Sequence, residues 1–383
     1  MKSGRLKKIK NSARKPRVVV AMSGGVDSSV AAGLLKEAGF EVVGVFMKFW
    51  KETPGRGCAN NLCDYENKCC SVEAQADARQ VAAELKIPLY TINAEKEFKK
   101  RVVDYFIQEY AAGRTPNPCV ECNHHIKFGL LLDKTKVFGA DFLATGHYCR
   151  ITRKFQNSQA QIAYRLLMAK DKNKDQSYFL YTLTQNKLKK IIFPIGDYSK
   201  SEVRKMAKKF GLPVFQKRDS QEICFINTDL YGFLKPRIKT DKGPIITASG
   251  KKIGEHKGLV YYTIGQRQGL NIGGTGPYYV IKKDFKKNTL IVTNPAVGEQ
   301  KKGLMQKEMF VKNTSWTRFD SRRRAEARRG LKCKVKVRST AKAAEATIKG
   351  NRIIFTKFQR AITSGQSAVF YRGEELLGGG IIV

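Results

Sequence analysis

From Val18 to Gly146, short apolar runs alternate with stretches of helical periodicity. Val18–Met22, Glu41–Met47, Leu89–Asn93 and Phe142–Thr145 read as strands. Ser28–Ala38, Val72–Leu85, Glu95–Ala112 and Asn123–Val137 read as helices. In the first of these, Val30, Leu34 and Leu35 share a face; in the third, Phe98, Val102, Tyr105, Phe106 and Tyr110 do so. Strands alternating with helices predict an α/β fold, a parallel sheet covered on both faces. Ligands in such folds bind beyond the C-terminal strand ends. The turn after Val18–Met22, the residue Met47 and Thr145-Gly146-His147 all fall there.

The pattern changes farther along. Ser199 and Glu202 have capping-box spacing and open a helix that reaches Phe210. From about residue 225 glycine is frequent and long helices give way to short apolar runs. After residue 288 the strands Leu290–Thr293, Met309–Val311, Cys333–Arg338, Glu345–Ile348, Arg352–Phe355, Ser367–Tyr371 and Gly380–Val383 predict a small all-β barrel. The expected organisation is a basic arm at 1–17, an α/β domain at 18–224, a small central domain at 225–288 and a C-terminal β-barrel at 289–383. A length of 383 residues accommodates two or three domains.

Charge narrows the partner. With 72 basic and 33 acidic side chains the formal charge is +39, which predicts attraction to a polyanion, nucleic acid before membrane. No run of about 18 apolar residues predicts a membrane span. The first 17 residues hold eight Lys/Arg, no acid and no apolar core, unlike a secretory signal. Nine cysteines, an odd number in a long chain, argue against a disulfide framework and for a reducing, cytoplasmic compartment.

The strongest local signal is Ala21-Met22-Ser23-Gly24-Gly25-Val26-Asp27-Ser28, at a strand-to-helix turn. Two glycines let the backbone approach an anion, the helix N-terminus adds positive potential, and Ser23 and Ser28 add hydroxyl donors. Asp27 is expected to hold Mg2+ against a pyrophosphate. No Gly-Lys-Ser/Thr follows, so the loop is not of the Walker type. It resembles the PP-loop of ATP pyrophosphatases, which implies adenylation of a carbonyl oxygen with release of pyrophosphate.

A second signal is Thr115-Pro-Asn117-Pro118-Cys119-Val-Glu-Cys122-Asn123. Its prolines predict an extended segment with two cysteines facing outward near a helix start, where a thiolate is favoured. Such a pair suits redox chemistry, half a zinc site or cluster ligation. His124 and His125 stand close enough in sequence to lower the pKa of Cys122. Cys58, Cys63, Cys69 and Cys70 could form a metal site of non-standard spacing or be ordinary thiols. Cys224, between isoleucine and phenylalanine, reads on its own as a core residue. Lys332, Lys334, Lys336 and Arg338 share one strand face, a row of cations suited to a phosphate backbone or to solvent.

Taken with Lys174-Asp-Gln-Ser-Tyr-Phe-Leu180, Ile223-Cys-Phe-Ile226, His256-Lys-Gly, Tyr262-Thr-Ile-Gly-Gln-Arg267 and Gly365-Gln-Ser-Ala-Val-Phe-Tyr371, these blocks resemble the tRNA-specific 2-thiouridylase family over nearly the whole chain. The resemblance implies a PP-loop domain, a central domain and a barrel that all contact tRNA, and ATP-dependent exchange of sulfur for oxygen at carbon 2 of the wobble uridine. It implies a sulfur-donor protein or sulfide source and a persulfide on Cys224. Cys122 would then attack to leave a Cys122–Cys224 disulfide. It also implies that Met47 and Gly146 line the nucleotide site with the loop residues and that Asn117, Pro118 and Cys119 approach the target base. His147, Lys174, Asp175, Gln176, Arg338, Ser339 and Gln366 would contact tRNA. Two positions depart from the family. Cys119 stands where many members carry aspartate, which opens an alternative in which Cys119, Cys122 and Cys224 bind a 4Fe-4S cluster. Arg338-Ser339 stands where the family usually shows Arg-Tyr.

Overall fold

The computed structural model describes residues 14–51, 70–156, 161–217, 223–226, 228–273, 277–294, 303–317 and 321–383. The chain begins with β1 (Arg17–Ala21), α1 (Val26–Glu37), β2 (Glu41–Lys48), α2 (Val72–Glu84) and β3 (Leu89–Asn93). Helical stretches at 95–111 and 118–134 lead to β4 (Phe142–Thr145), a hairpin of β5 (Cys149–Gln156) and β6 (Gln161–Met168), and β7 (Ile191–Ile192). Five of these strands form a sheet in the order β3-β2-β1-β4-β7, parallel throughout. The central strand β1 buries Val18, Val19 and Val20 completely. A strand covered on both faces needs apolar residues on both, hence a continuous run instead of alternation. Val19, Phe98, Phe106 and Phe128 pack on one face; Val18, Val20, Val30 and Ala78 pack on the other.

The helix expected at Asn123–Val137 starts earlier, with Pro118 at its first position. Proline's missing N–H is no loss there, and its fixed φ suits a helix start. Pro118 therefore opens the helix, and Cys119 lies in the first turn.

Next come β8 (Gly243–Thr247), β9 (Lys252–His256), β10 (Tyr279–Asp284) and β11 (Thr289–Thr293), in the order β10-β11-β8-β9. The sequence reading placed 289–293 in the barrel. Instead β11 pairs with β10 and β8, and Leu290 and Val292 share a core with Ile245 and Val280. Periodicity identified the strand but not its neighbours.

The barrel comprises β12 (Met305–Trp316), β13 (Leu331–Lys336), β14 (Ala344–Lys349), β15 (Arg352–Arg360), β16 (Ser367–Arg372) and β17 (Glu375–Ile382). They follow the order β12-β15-β14-β13-β16-β17, and β12 pairs with β17 to close the ring. Closure removes both open edges. The β5–β6 hairpin, for which no strand was expected, joins this sheet through Leu167 and Glu375. The Arg165 guanidinium donates to Glu375 at 2.8 Å beside that junction. Among the described residues no helix is long and apolar enough to cross a membrane.

Candidate functional site

The turn between β1 and α1 packs too closely for side chains at two points. Gly24 has φ +67°, and a Cβ there would lie 2.1 Å from the Ala74 carbonyl oxygen. Gly146, just past β4, would place a Cβ 2.6 Å from the Ser28 amide nitrogen. The hydroxyls hold the turn's shape: Ser23 N–H donates to Ser28 Oγ at 3.2 Å, and Ser28 and Ser29 donate to the Gly25 carbonyl at 3.1 and 2.8 Å. A cleft of ≈ 210 Å³ opens over this turn at the C-terminal end of the sheet. Ala21, Met22, Ser23, Asp27, Ser28, Met47 and Gly146 line it. Gly24 and Gly25 shape the turn, whereas the Val26 side chain is buried in the core.

The carboxylate of Asp27 has partners within the protein. Lys200 Nζ donates to Oδ1 at 2.8 Å and to Oδ2 at 2.9 Å, and Tyr148 Oη donates to Oδ1 at 2.7 Å. Oδ1 thus accepts two hydrogen bonds and Oδ2 one, so Oδ2 keeps a lone pair through which Asp27 would hold the expected Mg2+. A second lysine, Lys217, donates to the Gly24 carbonyl at 3.2 Å and pairs with Asp77 at 2.5 Å.

Cys119 is exposed, Cys122 is buried at 9% exposure, and Cys224 is half-buried. Cys122 thus does not face outward with Cys119. It belongs to the core against which Cys224 packs. The helix continues from Cys122 to Leu131 as a π-helix, a wide-turn form frequent at functional sites. Lys127, on that stretch, lines the same cleft. One helix therefore joins a candidate nucleophile to the cleft over the turn at 23–28. His124 cannot supply the cation expected beside Cys122. Burial pulls its pKa down to about 4, with His125 and Lys187 adding to the shift. Cys119, Cys122 and Cys224 do not gather as metal ligands: among the described residues no three His, Cys, Asp or Glu side chains converge. Cys58, Cys63 and Cys69 lie outside the described residues; Cys70 accepts from the Phe49 amide at 3.3 Å.

Several residues expected to touch tRNA have internal roles. His147 lines the cleft, packs near Phe128 and Phe193, and shares a 2.7 Å hydrogen bond with Thr145 through Nδ1. Burial holds its pKa well below the usual histidine value. Asp175 accepts from the Ala169 amide and from Ser177. Gln176 accepts from the Tyr148 amide at 2.9 Å and lines the cleft. Lys174 is half-buried. Arg338 leaves the cationic row: its Nη2 donates to the carbonyls of Ile264 and Ala361, both at 2.9 Å. Ser339 accepts from Lys336 through its carbonyl. Lys332 and Lys334 stay exposed on the strand face.

The segment 113–117 before Pro118 is held from both other sheets. Lys283 of β10 donates to the Gly113 carbonyl at 2.6 Å, and Thr263 and Thr115 share a 3.0 Å hydrogen bond. From the barrel side, Gln366 donates to the carbonyls of Thr115 and Pro116 at 2.9 and 3.3 Å. Asn117 is half-buried between these ties and the buried Pro118. Sequence reasoning missed Lys127, Tyr148, Lys200, Lys217 and Lys283. Only the capping box beside Lys200 left a local signal.

Three family models match in chain order: a tRNA methyl transferase HUP domain over residues 16–228, a tRNA methyl transferase PRC-barrel domain over 231–294, and an aminomethyltransferase β-barrel domain over 306–382. The tRNA-specific 2-thiouridylase MnmA 2 of Clostridium tetani is 44% identical over 96% of this chain and 99% of its own length. The corresponding enzyme of Clostridium kluyveri is 45% identical over 96% and 99%. MnmA 1 of Caldanaerobacter subterraneus is 46% identical over 96% and 97%. Similarity to solved structures is more distant. NMN synthetase from Francisella tularensis overlaps 58% of this chain and 72% of its own at 14% identity and TM-score 0.33. A 4-thiouridine synthetase–RNA complex with bound ATP overlaps 58% and 50% at 16% identity and TM-score 0.32.

Proposed function

This chain belongs to the tRNA-specific 2-thiouridylase family, and from that premise we propose how its cleft and cysteines divide the reaction. The enzyme uses ATP and thiolates the wobble uridine of tRNA. In the proposed first half, the turn at 23–28 and the start of α1 take the triphosphate. The uridine carbonyl oxygen attacks the α-phosphorus, pyrophosphate leaves, and carbon 2 carries an AMP leaving group. In the second half, the terminal sulfur of a Cys224 persulfide attacks carbon 2 and AMP departs. The Cys122 thiolate then attacks the Cys224 sulfur. The S–S bond breaks, its electron pair stays with the sulfur on carbon 2, and a Cys122–Cys224 disulfide remains. A dithiol reductant returns both thiols.

The observation that carries this reading is the shared helix: Cys122 opens the π-helical stretch from which Lys127 enters the nucleotide cleft. The packing of Cys224 against the core that contains Cys122 supports the pairing of the two thiols. The outer sulfur of the persulfide comes from a sulfur-donor protein's own persulfide, which the Cys224 thiolate attacks as the donor thiolate leaves; a sulfide source would serve instead by attacking Cys224 in the Cys122–Cys224 disulfide and releasing the Cys122 thiolate, and a reducing cytoplasm would otherwise regenerate the thiols. Asn117, Pro118 and Cys119 would face the target base. Lys174, the Lys332–Lys336 face and Ser339 would meet tRNA phosphates, with His147, Asp175, Gln176, Arg338 and Gln366 ordering the surfaces beside them.

The test is a turnover assay with tRNA, ATP and a persulfide donor. One AMP and one pyrophosphate should form per 2-thiouridine. ADP and inorganic phosphate would overturn the adenylation step.

A further inference from the structure

Gly113 stands at the joint between the helical stretches 95–111 and 118–134. It closes the first of them: its N–H donates to the Tyr110 carbonyl at 2.8 Å, and its φ of +74° turns the chain off the helix axis. Beyond it, Pro118 opens the helix that carries Cys119 and Cys122. The direction in which the chain leaves Gly113 therefore sets where that helix starts.

The central sheet holds this joint from the end of β10. A Cβ on Gly113 would lie 2.2 Å from the Phe285 ring, so the ring sits directly on the glycine backbone. From the same strand end, Lys283 Nζ donates to the Gly113 carbonyl at 2.6 Å and to the Tyr262 carbonyl at 2.8 Å. One ammonium thus ties the joint to the buried Tyr262 of the central domain. Adhesion alone does not call for a charge here. Phe285 and the hydrogen bond between Thr263 and Thr115 already join the two parts, and the Thr115 amide donates to the Ser364 carbonyl of the barrel at 2.9 Å. Among the described residues the hydrogen-bond partners of Lys283 are the two carbonyls and no carboxylate. Burying a cation without a counter-ion is costly, and it pulls the Lys283 pKa down to about 8. What the cation gains is the negative end of the helix that Gly113 terminates, and a charge-assisted grip on a single carbonyl.

We propose that Lys283 is a positioning residue for the thiol chemistry: from the central domain it fixes the Gly113 carbonyl and, through it, the start of the helix that brings Cys122 to Cys224. Attack of one sulfur on another needs the two aligned, and a misplacement of about 1 Å slows such a step by up to about a hundredfold. Lys283 touches neither sulfur, so its effect falls on the thiol steps and spares adenylation. This inference rests on the proposed roles of Cys122 and Cys224.

The test is single-turnover kinetics of the full-length enzyme with tRNA, ATP and a persulfide donor, following pyrophosphate and 2-thiouridine separately. Lys283→Met should slow 2-thiouridine formation about tenfold, with pyrophosphate release and the tRNA concentration for half-maximal rate within about twofold of wild type. Lys283→Arg should recover most of the rate. The pH profile is a second readout that needs no apolar substitution. As pH rises from 7 to 9, the 2-thiouridine rate of wild type relative to Lys283→Arg should fall severalfold, because the lysine loses its proton and the arginine does not. The groups around the ammonium leave that window clear. Burial raises the Tyr110 and Tyr262 phenols, and it alone lowers Lys283, with no part taken by Lys282 and Asp284 on the same strand or by the Glu109–Arg114 pair beside Gly113. Equal slowing of pyrophosphate release and thiolation would overturn the positioning role. So would weaker tRNA binding at an unchanged maximal rate, or a Lys283→Met enzyme as fast as wild type. Cys122→Ser, run alongside, tests the premise: free 2-thiouridine at the wild-type rate would overturn the role given to Cys122, whatever Lys283 does.

Discussion

Gln366 donates its side-chain amide to the Thr115 carbonyl at 2.9 Å, so the barrel grips the segment that leads into the Cys122 helix. Lys283 grips the same segment from the central sheet, although burial pulls its ammonium down to about 8. The segment's carbonyls are satisfied by side chains from two other parts of the chain. Gln366→Ala leaves those of Thr115 and Pro116 without that donor, at a cost of about 1–3 kcal/mol. Single-turnover thiolation should slow roughly tenfold, about 1.4 kcal/mol of barrel-borne positioning, while tRNA affinity changes little. A large loss of tRNA affinity with an unchanged single-turnover rate would mean that Gln366 contacts RNA directly.

Two glycines, Gly24 in the turn at 23–28 and Gly146 packed against it, leave no room for a side chain. Gly24→Ala drives a methyl into the Ala74 carbonyl, and Gly146→Ala drives one into the first turn of α1. Both should abolish ATP-analogue binding, or unfold the α/β domain, whereas Gly211→Ala meets open space and is strained only by its φ of +67°. Analogue titration beside thermal melts separates these outcomes; full affinity in Gly146→Ala would contradict the tight contact.

Acid should weaken the fold through its histidines. His147, His124 and His256 all have folded pKa values below the ordinary 6.5, with burial the leading cause. Their neutral forms fit the fold, so the unfolded chain binds more protons below pH 6.5. Stability is then full above about 6.5 and declines as pH falls toward 4. Urea midpoints at pH 7, 6 and 5 should decrease in that order, and His124→Gln should flatten the slope. A midpoint that rises on acidification would contradict the assignment.

The two thiols are separable by what accumulates. Cys224→Ser should abolish thiolation with pyrophosphate release intact. Cys122→Ser should arrest with sulfur covalently attached to both Cys224 and tRNA, visible as a reductant-sensitive adduct. A Cys224→Ser enzyme that still thiolates would remove its sulfur-carrying role.

The parallel sheet was legible because buried strands require apolar runs, and Val18–Met22 and Phe142–Thr145 supply them. The tight turn after β1 was legible from its glycines, of which Gly24 is sterically forced. The ties among parts were not, because Lys200, Lys283 and Gln366 act across long sequence separations and carry no local pattern. β17 was only partly legible: Gly378, Gly379 and Gly380 break its alternation, yet a Cβ at Gly378 would lie 2.2 Å from Ser315 O. Arg338 shows the opposite error. Strand alternation put it with the exposed lysines, but the strand ends at Lys336 and the chain turns its guanidinium inward.

The hairpin of β5 and β6 meets its partner strand late in synthesis. Arg165 and Glu375 are separated by 210 positions, and β17 is the last strand of the chain. At a translation rate of roughly 5–20 residues per second, the β6 edge waits on the order of 10–40 s for that partner. During the wait the nascent chain carries an open strand edge on an otherwise completed α/β domain. Truncation near the C-terminus should therefore damage a region encoded in the first half of the gene, and the ribosome-bound intermediate is where a chaperone would find its binding edge.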